Sequence, residues 1–385
     1  ETAEKSQSAN MKRWFPMQLI WGLKIFLCRS AIPLARNLFR LLISRAFYNA
    51  AFTEIRCDGE LMDSAAADIK FMLGVLFMKT KDFSFSSATG VCRINGTEFL
   101  PEGDVKAVVL IHHGMAEHIG RYADYVQHLT EKGYAVFMHN MANHGKSNQD
   151  PKLLGYFGEK DGYKNLVKDL KSVYDLAKKE FPDKKIFVYG HSMGSFIVRC
   201  FDCAYPGASE ASVYMGTGGS NPAAGMGKAI SNLIASVKGS TYKSKMLDKM
   251  TFGSYNKKTE KKTPFDWLTR DESIVQNYIN DDYCGFLFSA KGMNDLVMLN
   301  IWANSAEWYN TVKKDLPILV VAGADDPVGA YSKGINEIGE KLKATGHSRV
   351  TVKLFPGCRH EILNETNKQE VYEYIDAFLD ANCRD

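Results

Sequence analysis

The chain has 385 residues, of which 45% are hydrophobic and 12% aromatic, so it can bury a large core as one domain with insertions or as two domains. Its net charge is only +4, and eight basic residues with no acidic one are concentrated at positions 5–53. Attraction to an anionic surface is therefore expected at the N-terminus alone, and we expect no nucleic-acid partner. The eight scattered cysteines suit reduced thiols in the cytoplasm, which excludes a small disulfide-stabilised scaffold.

Residues 1–80 form an N-terminal segment that differs in composition from the rest of the chain. At positions 14–52 apolar and aromatic residues predominate, but lysine and arginine interrupt them, so no window reaches the roughly 18 uncharged apolar residues of a spanning helix. Basic charge on an apolar helix is typical of a membrane interface, and we predict peripheral contact with the inner face of the membrane. The alternatives are a helical arm packed on the rest of the protein and a signal sequence beginning at Met11.

Residues 81–217 alternate between strand and helix patterns. An edge strand is predicted at 82–92, and Asn95-Gly96 predicts a turn after it. Further strands are predicted at 105–111, 134–138, 185–189 and 211–215, and helices at 122–132, 163–179 and 195–204. This alternation indicates an α/β protein with a mostly parallel, doubly wound sheet.

Residues 218–314 break the alternation, with Gly- and Ser-rich pieces, a charged run at 257–262 and a helical pattern at 296–309. An insertion of this size after a sheet strand predicts a helical cap over the strand ends, where such sheets bind ligands. The alternation then resumes, with strands at 317–322 and 350–355 and helices at 332–344 and 368–381. The predicted organisation is an N-terminal segment 1–80, a core 81–217, a cap 218–314 and a second core part 315–385.

The most informative motif is Gly190-His191-Ser192-Met193-Gly194, which lies between the predicted strand at 185–189 and the predicted helix at 195–204. A turn of this kind projects the serine hydroxyl, and its glycines let the strand and helix approach closely. We therefore predict Ser192 as a catalytic nucleophile, the alternative being an ordinary loop serine. Cys200 and Cys203 have the spacing of a redox motif but fall in the predicted helix, where two packed core thiols are expected.

A serine hydroxyl becomes a good nucleophile only when a base removes its proton and a carboxylate orients that base. His360 is the predicted base, because it alone of the nine histidines follows directly after the last predicted strand. The strand at 317–322 leads into Asp325 and Asp326, and at this stage either residue can supply the carboxylate.

Two backbone amides are needed to bind the oxyanion that forms during acyl transfer. One is predicted to be that of Met193, directly after the nucleophile, and the other that of Met115, which Gly114 places in a tight turn. His113 and His118 in the same loop suggest a zinc site, but no third ligand stands at metal spacing, so we predict no metal and no cofactor.

Five ordered motifs resemble the monoacylglycerol lipase and lysophospholipase branch of the α/β-hydrolase fold, particularly its bacterial members, over about residues 82–383. They are His113-Gly114-Met115-Ala116-Glu117-His118 with Arg121-Tyr122, His144-Gly145-Lys146-Ser147, the Ser192 motif, Gly323-x-x-Asp326 and Gly357-x-x-His360-Glu361. The resemblance implies Asp326 as the carboxylate, the amides of Met115 and Met193 as oxyanion donors, and a mobile apolar cap. The family has aspartate and glycine where this chain has Asn140 and Asn143, which concerns the packing of that loop, and residues 1–80 match no part of the family pattern.

We therefore expect an α/β-hydrolase fold with a helical cap insertion and an extra N-terminal helical segment. The implied activity is hydrolysis of an ester of a single-chain lipid, a monoacylglycerol or a lysophospholipid, through an acyl-enzyme on Ser192. The same triad of Ser192, Asp326 and His360 also suits a thioesterase, an acyltransferase or an aminopeptidase, and the shape of the cap decides among them. A catalytically silent binding protein would be expected to lack one of the three, and all are present.

Overall fold

The computed structural model describes residues 79–384 of the chain. Within this range eight strands form one sheet: β1 Lys79–Ser86, β2 Arg93–Leu100, β3 Ala107–His112, β4 Tyr134–His139, β5 Ile186–His191, β6 Ala211–Met215, β7 Ile318–Gly323 and β8 Val350–Phe355. The predictions for residues 1–78, including the membrane-interface segment and its two alternatives, lie outside the described residues.

The strand order is β1-β2-β4-β3-β5-β6-β7-β8. Strands β3 to β8 are parallel, and β1 and β2 add an antiparallel edge, so the prediction of a mostly parallel sheet is confirmed. Every residue of β3 to β7 is buried. Parallel strands are covered on both faces, which explains why their sequences are nearly continuous apolar runs. Their carboxyl ends meet at one edge of the sheet, where open α/β sheets bind ligands.

Helices cover both faces of the sheet, as the doubly wound arrangement requires. The described range contains α1 Ala123–Glu131, α2 Gly162–Glu180, α3 Met193–Ala204, α4 Ala224–Lys238, α5 Lys245–Phe252, α6 Glu272–Ile279, α7 Ala290–Ala303, α8 Ala306–Thr311, α9 Lys333–Ala344 and α10 Lys368–Cys383. Apolar residues of α2, α3 and α9 pack in the core on one face, and those of α1 and α10 pack in the core on the other. Cys200 and Cys203 of α3 are buried free thiols, as expected.

The predicted turn at Asn95-Gly96 is wrong. Both residues lie inside β2, paired with β1, and the predicted edge strand ends six residues earlier than expected. The hairpin turns instead at 87–92, where the Ser87 amide donates to the Cys92 carbonyl at 3.1 Å and Gly90 has φ +74°. An Asn-Gly pair is typical of a hairpin turn, but the loop at 87–92, which contains Gly90, also suits one. The alternation of buried and less buried residues in β2 continues through Gly96.

The insertion at 218–314 contains five helices, α4 to α8. The helical pattern predicted at 296–309 falls on two helices, because α7 ends at Ala303 and α8 begins at Ala306. Ser305 separates them: its hydroxyl accepts a hydrogen bond from the Trp308 amide at 3.1 Å and so starts a new helix. No helix within residues 79–384 is long and apolar enough to cross a membrane.

Arg199 of helix α3 binds both the start of the insertion and the end of α7. Its side chain is fully buried, and its guanidinium donates to the Gly218 carbonyl at 3.1 Å, where the insertion begins. It also donates to the Ala303 carbonyl and to Asn304 Oδ1 at the end of α7. The Trp308 ring lies 4.5 Å from the guanidinium carbon. Backbone and amide oxygens, an aromatic face and the carboxyl end of a helix therefore stabilise this buried charge.

Four buried histidines surround the loop that follows β3: His112, His113, His139 and His144. His113 Nε2 accepts from the Met141 amide at 2.9 Å and Nδ1 donates to the Gly114 carbonyl at 2.8 Å, so this ring ties two loops together. Burial lowers the pKa of His112 and His113 to about 3 and that of His144 to about 4, and it lowers the pKa of His139 well below its usual value. All four side chains are therefore neutral at physiological pH.

Replacing Gly96 with alanine is expected to destabilise the fold by about 1 to 3 kcal/mol. A Cβ at this position would overlap the Phe83 ring and lie 2.8 Å from the Met138 carbonyl, which is backbone and cannot turn away. Gly225→Ala in α4 is the control, because no atom lies within 4 Å of its new Cβ and alanine favours a helix, so it should be neutral or stabilising. Urea unfolding of the three proteins measures the free energies, and equal effects of the two substitutions would contradict the packing argument.

Replacing His139 with leucine should weaken the dependence of stability on pH. The unfolded histidine binds a proton below about pH 6.5, whereas the buried ring stays neutral, so stability is lost as pH falls below that value. Removing one such ring should reduce this loss by about 1.4 kcal/mol per pH unit between about pH 6 and pH 4.

The difference in unfolding free energy between wild type and His139→Leu at each pH isolates the effect of this proton. Three buried aspartates make the protein more stable as pH falls, because burial raises the pKa of Asp169, Asp202 and Asp295 to about 6. Their contribution is common to both proteins and cancels in the difference. Parallel stability curves for wild type and His139→Leu, measured by urea unfolding, would show that His139 takes up a proton in the folded state.

Candidate active site

Ser192 occupies a strained turn between β5 and α3. Its φ is +54° and its ψ is −122°, a backbone conformation that a residue with a Cβ rarely adopts. A Cβ at Gly190 would overlap the Gly194 carbonyl, and a Cβ at Gly194 would overlap the His112 carbonyl. The two glycines thus allow the close backbone approach that the turn requires, and the Ser192 amide is held by the Met215 carbonyl at 2.9 Å.

His360 and Asp326 lie together beyond the ends of β8 and β7. His360 Nδ1 is 3.0 Å from Asp326 Oδ2, and both side chains are at most 2% exposed. The neighbouring Asp325, the other candidate from the sequence, is exposed. Burial alone would lower the pKa of His360, but the charge and hydrogen bond of Asp326 outweigh it and raise the pKa above its usual value. The pair therefore favours the protonated imidazole, which is the form that a general base reaches during catalysis.

The loop after β3 brings Met115 to the same cavity as Ser192, Met193 and His360. Gly114 packs against Ser192, since a Cβ at Gly114 would lie 3.1 Å from Ser192 Cβ. Met193 is the first residue of α3, so its amide has no carbonyl partner within the helix. Within the described range the Met115 amide likewise has no hydrogen-bond acceptor. Both amides are therefore available to a bound oxygen.

A buried charge network lies behind this loop, and the sequence analysis used its residues only as parts of a family motif. Glu117 Oε1 accepts from the Gly114 amide at 2.6 Å and from the Tyr122 hydroxyl at 2.9 Å, while Arg121 donates to Glu117 and, through both terminal nitrogens, to Glu361. Burial by itself raises the pKa of Glu117, but the His191 hydrogen bond and the Arg121 charge hold it well below its usual value. The ionised carboxylate thus fixes the Gly114 turn next to Ser192.

The cavity above Ser192 has a volume of about 880 Å³. Loops at the carboxyl ends of the strands form its floor, including those of Met115 and Val328. The insertion supplies its apolar walls, with the side chains of Phe252, Phe265, Trp267, Phe286 and Leu296. The insertion therefore lies over the strand ends, where the sequence predicted a cap.

The structure brings two further potential metal ligands, Asp281 and Cys284, to His118, which the sequence analysis had left without a third ligand. The Gly120 amide donates to His118 Nδ1 at 3.1 Å, so the ring hydrogen resides on Nε2, which donates to Asp281 at 2.8 Å. An Nε2 that carries hydrogen has no lone pair for a metal. Burial also raises the pKa of the Cys284 thiol, which opposes the thiolate form. The geometry is that of a hydrogen-bonded pair, and the absence of a metal or cofactor stays a prediction.

The chain is similar to known hydrolases and lipases. Residues 103–367 match the family Hydrolase_4, described as serine aminopeptidase, S33. The monoacylglycerol lipase of Mycolicibacterium smegmatis is 26% identical over 301 residues, which are 77% of this chain and 96% of that protein. The rat monoglyceride lipase is 33% identical, but over 97 residues, which are 25% of this chain and 30% of that protein.

Among solved structures, a highly thermostable carboxyl esterase from Bacillus coagulans, in complex with glycerol, superposes with a TM-score of 0.75. It is 28% identical, and the superposition covers 80% of this chain and 99% of that chain. The eight-stranded, mostly parallel sheet with flanking helices is thus an α/β-hydrolase fold. Because the family match spans well over half of the residues, the chain belongs to the serine aminopeptidase S33 family of α/β-hydrolases.

Proposed function

We propose that the chain hydrolyses esters of single-chain lipids, with monoacylglycerols as the first candidates and lysophospholipids as the second. Ser192 attacks the ester carbonyl while His360 takes the hydroxyl proton, and Asp326 holds the imidazole and balances its charge. The Met115 and Met193 amides stabilise the oxyanion. The alcohol leaves with the proton from His360, and water, activated by the same imidazole, releases the fatty acid from Ser192.

The observation that carries this proposal is the apolar cavity directly above Ser192. Aromatic and aliphatic side chains of the insertion form its walls, which suits a long hydrocarbon chain. Asn300 and Ser220 also line it and can hydrogen-bond the polar part of a substrate. The relatives described as monoacylglycerol and monoglyceride lipases support the same substrate class.

The outer face of the insertion supports a substrate that arrives from a lipid surface. Met226, Leu233 and Val237 of α4 are 59%, 64% and 69% exposed, and their spacing places them on one side of the helix. Met246 and Met250 of α5 are also more than half exposed, and α5 contributes Phe252 to the cavity wall. An exposed apolar face next to the cavity wall is typical of a surface that contacts lipid.

Hydrolysis of a substrate panel tests the proposal. The panel contains a monoacylglycerol, a lysophospholipid, a short p-nitrophenyl ester, an acyl thioester and an aminoacyl anilide. Wild type should prefer the lipid monoesters, and Ser192→Ala and His360→Ala should lower kcat on every substrate by at least about 10⁴-fold. Preference for the anilide would instead identify a peptidase, and preference for the thioester a thioesterase.

The two adjacent aspartates offer a matched pair of variants for the same assay. Asp326→Asn should lower kcat by about 10⁴-fold, because an amide stabilises the wrong imidazole tautomer. Asp325→Asn changes an exposed neighbour and should leave kcat near the wild-type value. Similar losses in the two variants, with both proteins folded, would contradict the role proposed for Asp326.

We also propose that the basic apolar segment at 12–52 holds the protein on the inner face of a membrane. Replacing Arg29, Arg36 and Arg40 with glutamine should weaken binding to anionic vesicles, measured by co-sedimentation of the full chain at low and physiological salt. Leu233→Gln with Val237→Gln is the comparison, because it alters the exposed face of α4 without changing the charge. Vesicle binding that is unchanged by the arginine substitutions would exclude this role for the N-terminal segment.

A further inference from the structure

The insertion is bonded directly to the loop that carries His360. The His360 amide donates to the Trp267 carbonyl at 3.3 Å, and the Glu361 amide donates to the Leu268 carbonyl at 2.7 Å. Arg359 donates to the Asp266 carbonyl at 2.7 Å. Hydrogen bonds to the backbone therefore connect the insertion directly to the loop that carries His360.

A buried carboxylate secures the same junction from the other side. Glu365 accepts from the Arg359 amide at 2.7 Å and from Arg270 Nε at 2.8 Å, and its side chain is fully buried. Thr269 also donates to the Asn364 carbonyl at 2.9 Å. Charge-assisted bonds that are shielded from water are the strong ones, so insertion residues 266–270 are fixed to the loop at 359–365.

The fixed segment places an aromatic ring on the His360 imidazole. The ring centroids of Trp267 and His360 are 5.0 Å apart with an interplanar angle of 41°. Trp267 is also packed by Tyr255, with centroids 4.9 Å apart and planes at 77°. The indole therefore contacts both the imidazole and a second ring of the insertion, and its backbone is bonded to His360.

We propose that Trp267 is a positioning residue that orients His360 and stabilises its protonated form. The inference rests on the role proposed for His360 as the base. A cation within about 6 Å of an indole centroid is attracted to the electron-rich ring face. The imidazole gains its positive charge in the transition state, so this attraction is strongest at the point where it lowers the barrier.

The indole acts together with the charged and titratable groups around His360. Asp326 bonds Nδ1 from the loop after β7, and the His191 ring at the end of β5 lies 4.7 Å away between centroids. Glu117 and Glu361 also act on the imidazole through their charge. The charges of these groups stay the same when Trp267 is replaced, so an altered titration of His360 reports on the indole.

The test is the pH dependence of kcat/KM for a short, water-soluble p-nitrophenyl ester, which does not depend on a lipid surface. Activity should rise with pH as His360 loses its proton, and this rise defines an acid limb. In Trp267→Leu the limb should move to lower pH by about 0.5 to 1 unit, and kcat should fall about 3- to 30-fold. A purely structural role predicts the opposite shift, because water entering the space of the indole would relieve the burial that lowers the His360 pKa.

Two further variants control for packing. Trp267→Phe keeps an aromatic face and should restore most of the limb position. Phe265→Leu removes a ring from the same cavity wall, where Phe265 packs on Tyr278 at 5.0 Å between centroids, and should leave the limb where it is in wild type.

A measurement without substitution covers the case in which Trp267→Leu fails to fold. The expression host can be grown on mono-, di- or trifluorinated tryptophan, which it incorporates into the protein. Each added fluorine weakens the negative face of the indole with little change in its shape. The acid limb of the full chain should then move to lower pH in steps, whereas the limb of Trp267→Phe should not respond to fluorination. A limb that stays fixed in the fluorinated protein, or that moves to higher pH in Trp267→Leu, overturns the proposal. Undiminished activity of His360→Ala would instead remove the proposed function itself.

Discussion

The conformation of Ser192 is the constraint on which the rest of the site depends. A non-glycine residue at φ +54° and ψ −122° is unfavourable in isolation, so neighbouring contacts must hold it. The absence of side chains at Gly190 and Gly194 brings the backbone of α3 against β5 and against the end of β3. Ser192, Met193 and the loop of Met115 line the same cavity next to this contact. The proposed nucleophile and the proposed oxyanion donors thus lie beside one close backbone packing.

Electrostatics then distinguish His360 from the four buried histidines around the loop that follows β3. His112, His113, His139 and His144 have no carboxylate bonded to the ring, and burial lowers the pKa of each. His360 is equally buried, but Asp326 lies 3.0 Å from Nδ1 and reverses the direction of the shift. The neutral rings of His113 and His144 hydrogen-bond the backbone of two loops. At His360 the neighbouring carboxylate favours the protonated form instead.

Local patterns in the sequence predicted the features that depend on neighbouring residues. The alternation of strands and helices, the glycines around Ser192 and the position of His360 after β8 all follow from short stretches, and the structure brings Asp326 rather than Asp325 to His360. The turn predicted at Asn95-Gly96 failed because the need for glycine came from β1 and β4, which pack on that residue from distant parts of the chain. The bond between Arg121 and Glu361 and the junction that holds Trp267 could not be predicted for the same reason, since Arg121 and Glu361 are 240 residues apart and Arg359 and Asp266 are 93 apart.

Arg199 has a consequence for the way the insertion can vary. Its guanidinium holds Gly218, where the insertion begins, and the end of α7 at one point on α3, using backbone carbonyls and an amide rather than a carboxylate. Lengthening the chain between these two places adds little to the entropy of closing it, because that entropy rises only slowly with length. Because residues 266–270 are also bonded to the loop at 359–365, helices on either side of that segment can be extended while the segment itself keeps its position over the strand ends. The insertion is in this sense a variable part of the fold that is attached to the core at two fixed places, a buried cation and the junction at 266–270.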